Sequence, residues 1–259
     1  MKKGILFIGH GSRLNHNKEA IEFQANALKE RTGIPVWTAY NESTDPLVDV
    51  AAEEMVGFGI EEIIAIPFFI ASGLHITRDI PRKLNIQESS SGGRTTIAGK
   101  EVTVHLEQPF GDDPNLTDIL EERISDICWE KECSVVVIGH GSRLQYNKEV
   151  VEANAERLTE RGHENVYYGF NEFNDPSIEA AMSAAVRSGA SDIAVLPLFI
   201  ASGAHLAEEI PGKLGIQMNS YGGVSDLYGR EVNVHYAMPV GNDPRLVEVL
   251  VKKLEKYGI

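Results

Sequence analysis

The chain has 259 residues, of which 42% are apolar and 24% charged, and a formal net charge of −14, the balance of an ordinary globular protein. Such acidity lacks the basic footprint that nucleic acid demands, and no apolar run approaches the roughly 20 residues that span a bilayer, so neither a nucleic-acid nor a membrane partner is expected. Met1-Lys2-Lys3-Gly4 leads straight into Ile5–Ile8, too short for a signal-peptide core, and a cytoplasmic location is expected.

Ile5–Ile8 reads as a short strand, and residues 15–31 place Ala20, Ile21, Phe23, Ala27 and Leu28 at helical spacing. Val36–Tyr40 is a second strand. A helix over 46–58 is expected to take Asp45 as N-cap and Pro46 as its first residue. Ile63–Phe69 is continuously apolar, as in a parallel strand buried on both faces. A short helix over 73–84 follows. The segment 87–100, rich in Ser, Gly and Thr, reads as a mobile loop or irregular hairpin, open to a role as lid or plain connector. A strand over 101–106 and a helix over 113–127, with Pro114 at its start, close the series. Cys128 and Cys133, the only cysteines, match no metal or redox spacing and are too few for a disulfide framework; two ordinary thiols are expected.

The series then repeats 130 positions later. Ile8-Gly9-His10-Gly11-Ser12-Arg13-Leu14 returns as Ile138-Gly139-His140-Gly141-Ser142-Arg143-Leu144, and Phe69-Ile70-Ala71-Ser72-Gly73 as Phe199-Ile200-Ala201-Ser202-Gly203. A period this long marks a duplicated domain rather than a solenoid. Strands alternating with helices imply parallel sheets with right-handed crossovers. The expected architecture is α/β: two tandem parallel-sheet αβα sandwich halves, 1–127 and 131–259, with a cleft between them. They would pack like a two-fold dimer joined into one chain, a monomer with pseudo-two-fold halves, further association remaining open.

Parallel sheets bind ligands beyond the carboxyl ends of their strands. His10, Glu42 and His75 follow the first three strands there, and His140, Glu172 and His205 repeat the set. Two imidazoles and a carboxylate suit a borderline divalent cation such as Co²⁺, Ni²⁺, Fe²⁺ or Zn²⁺, and three ligands leave open positions, as a catalytic metal site needs. The same groups can move protons. His105, inside a strand, is assigned a packing role. Gly9-His10-Gly11-Ser12-Arg13 lacks the P-loop ending and the dinucleotide spacing, and it is not the Gly-x-Ser-x-Gly nucleophile turn.

Gly-His-Gly-Ser-Arg after the first strand, Asn-Glu-x-x-Asp-Pro after the second and Pro-x-Phe-x-x-x-Gly-x-His-x-x-x-Asp-Ile-Pro after the third resemble the class II tetrapyrrole chelatases. The resemblance is greatest to CbiX-type sirohydrochlorin chelatases in their long, two-half form, and covers nearly the whole chain. It implies a chelatase-like fold and ATP-independent insertion of a divalent metal into sirohydrochlorin, a lyase activity. Co²⁺ is the first choice, with Ni²⁺ or Fe²⁺ as others, serving cobalamin, coenzyme F430 or siroheme synthesis. No organic cofactor is implied; the metal is a substrate. The family's metal-binding histidines match His10 and His75, and its carboxylate matches Glu42; in the second half the matches are His140, His205 and Glu172. Ser12, Arg13, Arg78 and Lys83 are the candidates to meet the carboxylates of the macrocycle, Arg by bidentate pairing. Arg78, Arg82 and Arg94 become Glu208, Gly212 and Val224 in the second half, so the first half offers the better field for a polyanion and is expected to do most of the work. The competing readings are a non-catalytic metal carrier and a tetrapyrrole-binding protein.

Overall fold

The computed structural model describes residues 1–11, 15–128 and 132–259. Their contacts divide into two compact units, Met1–Phe110 with Pro244–Ile259, and Gly111–Asp243.

In unit 1, β1 (Lys3–Gly9), β2 (Val36–Tyr40), β3 (Glu62–Pro67), β4 (Gly92–Ile97) and β5 (Lys100–Leu106) form one sheet in the order β2-β1-β3-β5-β4. The first four neighbours run parallel, and β4 runs antiparallel along β5 at the edge. The sheet is mostly parallel, as expected, and the segment 87–100, read as a mobile loop or irregular hairpin, supplies its antiparallel edge strand. The reason lies in the burial pattern: β1 and β3 are closed on both faces, whereas Gly92–Ile97 is mostly open. An edge strand needs one partner and little apolar surface, so it leaves no apolar run to read.

α1 (Asn15–Thr32) covers one face. α2 (Val48–Gly57) and α3 (Ile80–Lys83) cover the other, where Val48, Ala51, Ala52, Met55, Ile80 and Leu84 pack on Leu6, Ile8, Ile63 and Ala65. α2 begins two residues later than the sequence suggests. The Pro46 carbonyl accepts from Tyr40 N–H at 2.9 Å and Leu47 pairs with Tyr40 in a parallel bridge, so this segment lies alongside the end of β2 before the helix opens.

Unit 2 repeats the plan with β6 (Ser134–Gly139), β7 (Val166–Phe170), β8 (Asp192–Pro197), β9 (Gly222–Leu227) and β10 (Arg230–Tyr236), ordered β7-β6-β8-β10-β9. α5 (Tyr146–Glu160) takes one face, α6 (Ile178–Arg187) and α7 (Ile210–Leu214) the other.

The contact units do not follow the repeats 1–127 and 131–259. α4 (Pro114–Ile127) packs in unit 2 beside α5 and β8, and α8 (Leu246–Leu254) packs in unit 1 beside α1. α4 starts as its sequence dictates, with the Asp113 carboxylate accepting from Asn115 N–H at 3.0 Å and Pro114 in the first turn. Cys128 and Cys133 are joined as a disulfide, which corrects the expectation of two free thiols: their Cα atoms lie 6.5 Å apart, inside the bonding range. No helix among the described residues is long and apolar enough to cross a membrane.

Candidate metal centres

In each sheet the connections leave the first strand in one direction and return on its other side, so β1 and β3 are neighbours at a switch point, as are β6 and β8. The residues just beyond those strands face one crevice.

In unit 1 the chain leaves β1 through His10 and Gly11. Gly11 has φ +91°, and a Cβ there would lie 1.7 Å from the Glu42 carbonyl; only glycine lets this turn lie against the end of β2. The Glu42 N–H in turn bonds the His10 carbonyl at 3.0 Å. Gly141 does the same in unit 2, with φ +87° and a Cβ position 1.8 Å from the Glu172 carbonyl.

His75 opens a π-helical turn, His75–Asp79, in which Ile80 N–H bonds the His75 carbonyl. Such turns recur at functional sites. This turn aims the ring back over β1. The His10 and His75 rings meet edge to face with centroids 4.7 Å apart, with Phe69 beside both. Glu42 Oε1 lies 3.7 Å from His10 Nδ1.

Both rings have the same nitrogen occupied. His10 Nδ1 lies 3.0 Å from the Gly11 carbonyl, and His75 Nδ1 lies 3.0 Å from Asp79 Oδ2. A carbonyl and a carboxylate only accept, so each Nδ1 is set to donate and each Nε2 to keep its lone pair; the Asn41 amide, 2.8 Å from His75 Nδ1, fits this with its oxygen, otherwise buried without a partner, turned to the ring. The hydrogen bond from Arg78 to Asp79 Oδ1, at 2.8 Å, with a smaller contribution from His75, holds the Asp79 carboxyl below its ordinary range, so it stays an acceptor.

Unit 2 builds the same device. His140 Nδ1 sits 3.0 Å from the Gly141 carbonyl, and His205 Nδ1 lies 2.5 Å from Glu209 Oε2. Their rings are 5.1 Å apart, and His140, Glu172 and His205 bring one ligand atom each within 4.8 Å of one another. Hydrogen bonds from His205 first, then from Lys213, bring Glu209 down to about 2. Lys213 also donates to both oxygens of Asn171.

The structure thus brings together His10, Glu42 and His75 in one unit and His140, Glu172 and His205 in the other. Lys83 donates to the Asn41 carbonyl beside Glu42, which ties the end of β2 to α3. Arg78 lies against Asp79, partly open. Ser12 and Arg13 lie outside the described residues. His105 pairs with Glu62 at 3.2 Å and lies against the tilted ring of Tyr257, in keeping with its packing role. Sequence reasoning missed Asp79 and Glu209 as the groups that orient the second histidine of each pair. Their signal was present: each lies four residues after its histidine, the spacing that puts two side chains on one helical face.

The CbiX family model matches residues 4–127 and again 134–257. The chain belongs to the CbiX family. A sirohydrochlorin cobaltochelatase of Methanococcoides burtonii is 39% identical over 127 residues, 97% of its own length and 49% of this chain. Another of that name, from Methanosarcina barkeri, is 37% identical over 126 residues, 96% of its length and 48% of this chain. These CbiX relatives thus have the length of one repeat. SirB from Bacillus subtilis with Fe³⁺ gives a TM-score of 0.76 at 20% identity, covering 99% of this chain and 95% of that one. The sirohydrochlorin chelatase SirB from Bacillus subtilis subspecies spizizenii in complex with cobalt gives 0.69 at 20% identity, with the same coverage. At that identity the agreement is one of fold: two tandem chelatase-like αβα halves.

Proposed function

We propose that this CbiX-family chain is a sirohydrochlorin chelatase that exchanges the two pyrrole N–H protons of the macrocycle for a divalent metal ion, with Co²⁺ as the first choice and Ni²⁺ or Fe²⁺ as others. The observation that carries the reading is the pair of imidazoles in each unit, every one with Nδ1 given to an acceptor and Nε2 left for a metal, beside a carboxylate. The relatives named sirohydrochlorin cobaltochelatase point to the substrate and the metal.

In this reading His10 and His75 hold the incoming M²⁺ through Nε2 while it sheds water. Glu42, 3.7 Å from His10, completes the ligand set or accepts a pyrrole proton. His140, His205 and Glu172 do the same in unit 2. Arg78 meets a substrate carboxylate; Lys83 serves by anchoring the Asn41–Glu42 turn. The greater positive charge around 75–100 makes unit 1 the main site. The metal is consumed as substrate, and neither ATP nor an organic cofactor takes part. The product would serve cobalamin synthesis if Co²⁺ is the metal, in the cytoplasm.

The test is anaerobic metallation of sirohydrochlorin with Co²⁺, Ni²⁺ or Fe²⁺, followed by absorbance against a control without enzyme. Acceleration lost in His10→Ala/His140→Ala supports the chelatase. Tight metal binding without acceleration would replace it by a metal carrier.

A further inference from the structure

We propose that Cys128, Cys133 and His235 form, once the disulfide is reduced, a second kind of divalent-metal site, suited to a thiolate-preferring cation such as Zn²⁺ or Co²⁺ and separate from the histidine–glutamate centres.

The geometry is in place. Both sulfurs and a His235 ring nitrogen lie within 4.8 Å of one another, and Cys128 is buried while the other two are part-buried. His235 Nε2 is 2.8 Å from Asp192 Oδ1, so Nδ1 is the nitrogen left to bind. A carboxylate behind a ligand imidazole fixes its orientation and raises its basicity. Two thiolates and one imidazole select a soft or borderline cation, and they leave a fourth tetrahedral position open. A cavity of about 1160 Å³, lined by Cys128, Glu132, Cys133 and Asp192 among others, adjoins the sulfurs and gives an ion and water a way in.

The repeat supplies its own comparison. His105 and Glu62 in unit 1 reproduce His235 and Asp192, at 3.2 Å, but the Tyr257 ring covers them, with centroids 4.8 Å apart. The imidazole–carboxylate pair therefore belongs to the shared fold, and the sulfur pair is an addition made where unit 1 uses a phenol. Its place is also distinct. Cys133 precedes β6 and Asp192 opens β8, whereas His140 and His205 follow the far ends of those strands, about 20 Å away for six residues of strand.

The chemistry balances with a dithiol as reductant. Exchange breaks the Cys128–Cys133 bond, oxidises the dithiol to its own disulfide and leaves two protein thiols. Binding M²⁺ then releases two protons and forms two metal–sulfur bonds.

The full chain, reduced anaerobically with a dithiol and freed of it, is titrated with Co²⁺ and followed by the near-ultraviolet thiolate-to-cobalt charge-transfer band, to which histidine–carboxylate sites contribute nothing. The band is expected to appear in the reduced protein and to be absent from the oxidised protein, a comparison that needs no variant, and to reach its endpoint at one Co²⁺ per chain once His10→Ala/His140→Ala removes the competing sites. It should vanish in Cys128→Ser/Cys133→Ser. Binding should weaken by about 10–100-fold in Asp192→Asn, and by more in His235→Ala. No band in the reduced protein, a disulfide that resists the dithiol, or a His235→Ala titration like that of the unaltered chain would each overturn the proposal. Chelatase activity is read separately, so failure here leaves that reading untouched.

Discussion

Asp79 Oδ2 stands 3.0 Å from Nδ1 of His75, and that contact decides which nitrogen of the ring can meet a metal ion. Asp79→Ala frees the ring to rotate and to change tautomer. Co²⁺ affinity at the unit 1 site is expected to fall by about 10–100-fold, the usual cost of losing such a partner. Calorimetry in a His140→Ala background isolates the effect. Asp79→Glu should restore much of it, because Glu209 fills the same place in unit 2; equal losses in both variants would show that the carboxylate acts otherwise.

The two units invite a direct comparison. His10→Ala is expected to lower the rate of metallation more than His140→Ala. Arg78→Glu, which copies Glu208, should raise KM for the macrocycle more than it lowers kcat. Steady-state kinetics with sirohydrochlorin checks both, and a larger loss from His140→Ala would move the main site to unit 2.

Gly141→Ala tests the turn on which the site rests. The new Cβ would meet the Glu172 carbonyl 1.8 Å away at φ +87°, so the turn must open. A stability loss of about 1–3 kcal/mol is expected from the strained backbone, with loss of Co²⁺ binding in unit 2. Urea titration and calorimetry read the two effects; an unchanged variant would show that the site does not rest on this turn.

Tyr257 links pH to the stability of unit 1. Burial first, then its hydrogen bond to Glu107, pushes the phenol up. A folded value raised above the unfolded one, about 10, means the group stabilises the fold fully below pH 10 and loses that effect as pH rises through the folded value. Tyr257→Phe should cost about 1 kcal/mol at neutral pH. The gap from the unaltered chain should close above pH 10 in thermal melts; a gap that widens there would refute the assignment.

Leu250 of α8 is fully buried. Leu250→Ala should cost about 2–5 kcal/mol. Because α8 packs in unit 1, hydrogen exchange should speed up in β1 and β3 more than in β6 and β8. The reverse pattern would put α8 elsewhere.

The strand ends carrying His10, Glu42 and His75 were legible because buried strands leave unbroken apolar runs and the polar residue that ends each run stands out. Pro114 marked the start of α4 for a similar local reason. The π-helical turn at His75 was not legible, since one extra residue in a single turn leaves the apolar spacing of 73–84 almost unchanged. Pro46 misled, because a proline before an apolar run reads alike whether it opens a helix or closes a strand. The disulfide was hidden because spacing reports distance along the sequence, whereas a disulfide needs closeness in space. Placement of α4 and α8 was beyond reach for a different reason. Pro114 and Pro244 head similar segments, so the sequence does not say which helix closes which unit.

That exchange of closing helices makes the direction of protein synthesis matter. The ribosome completes the sheet of unit 1 by Phe110, yet the α1 face waits for residues beyond Pro244. Unit 2, bounded by Gly111 and Asp243, has every part in hand sooner. The usual N-terminal-first order of maturation is thus inverted. During the interval α4 is already in place against α5 and β8, and the α1 face is left open until α8 emerges.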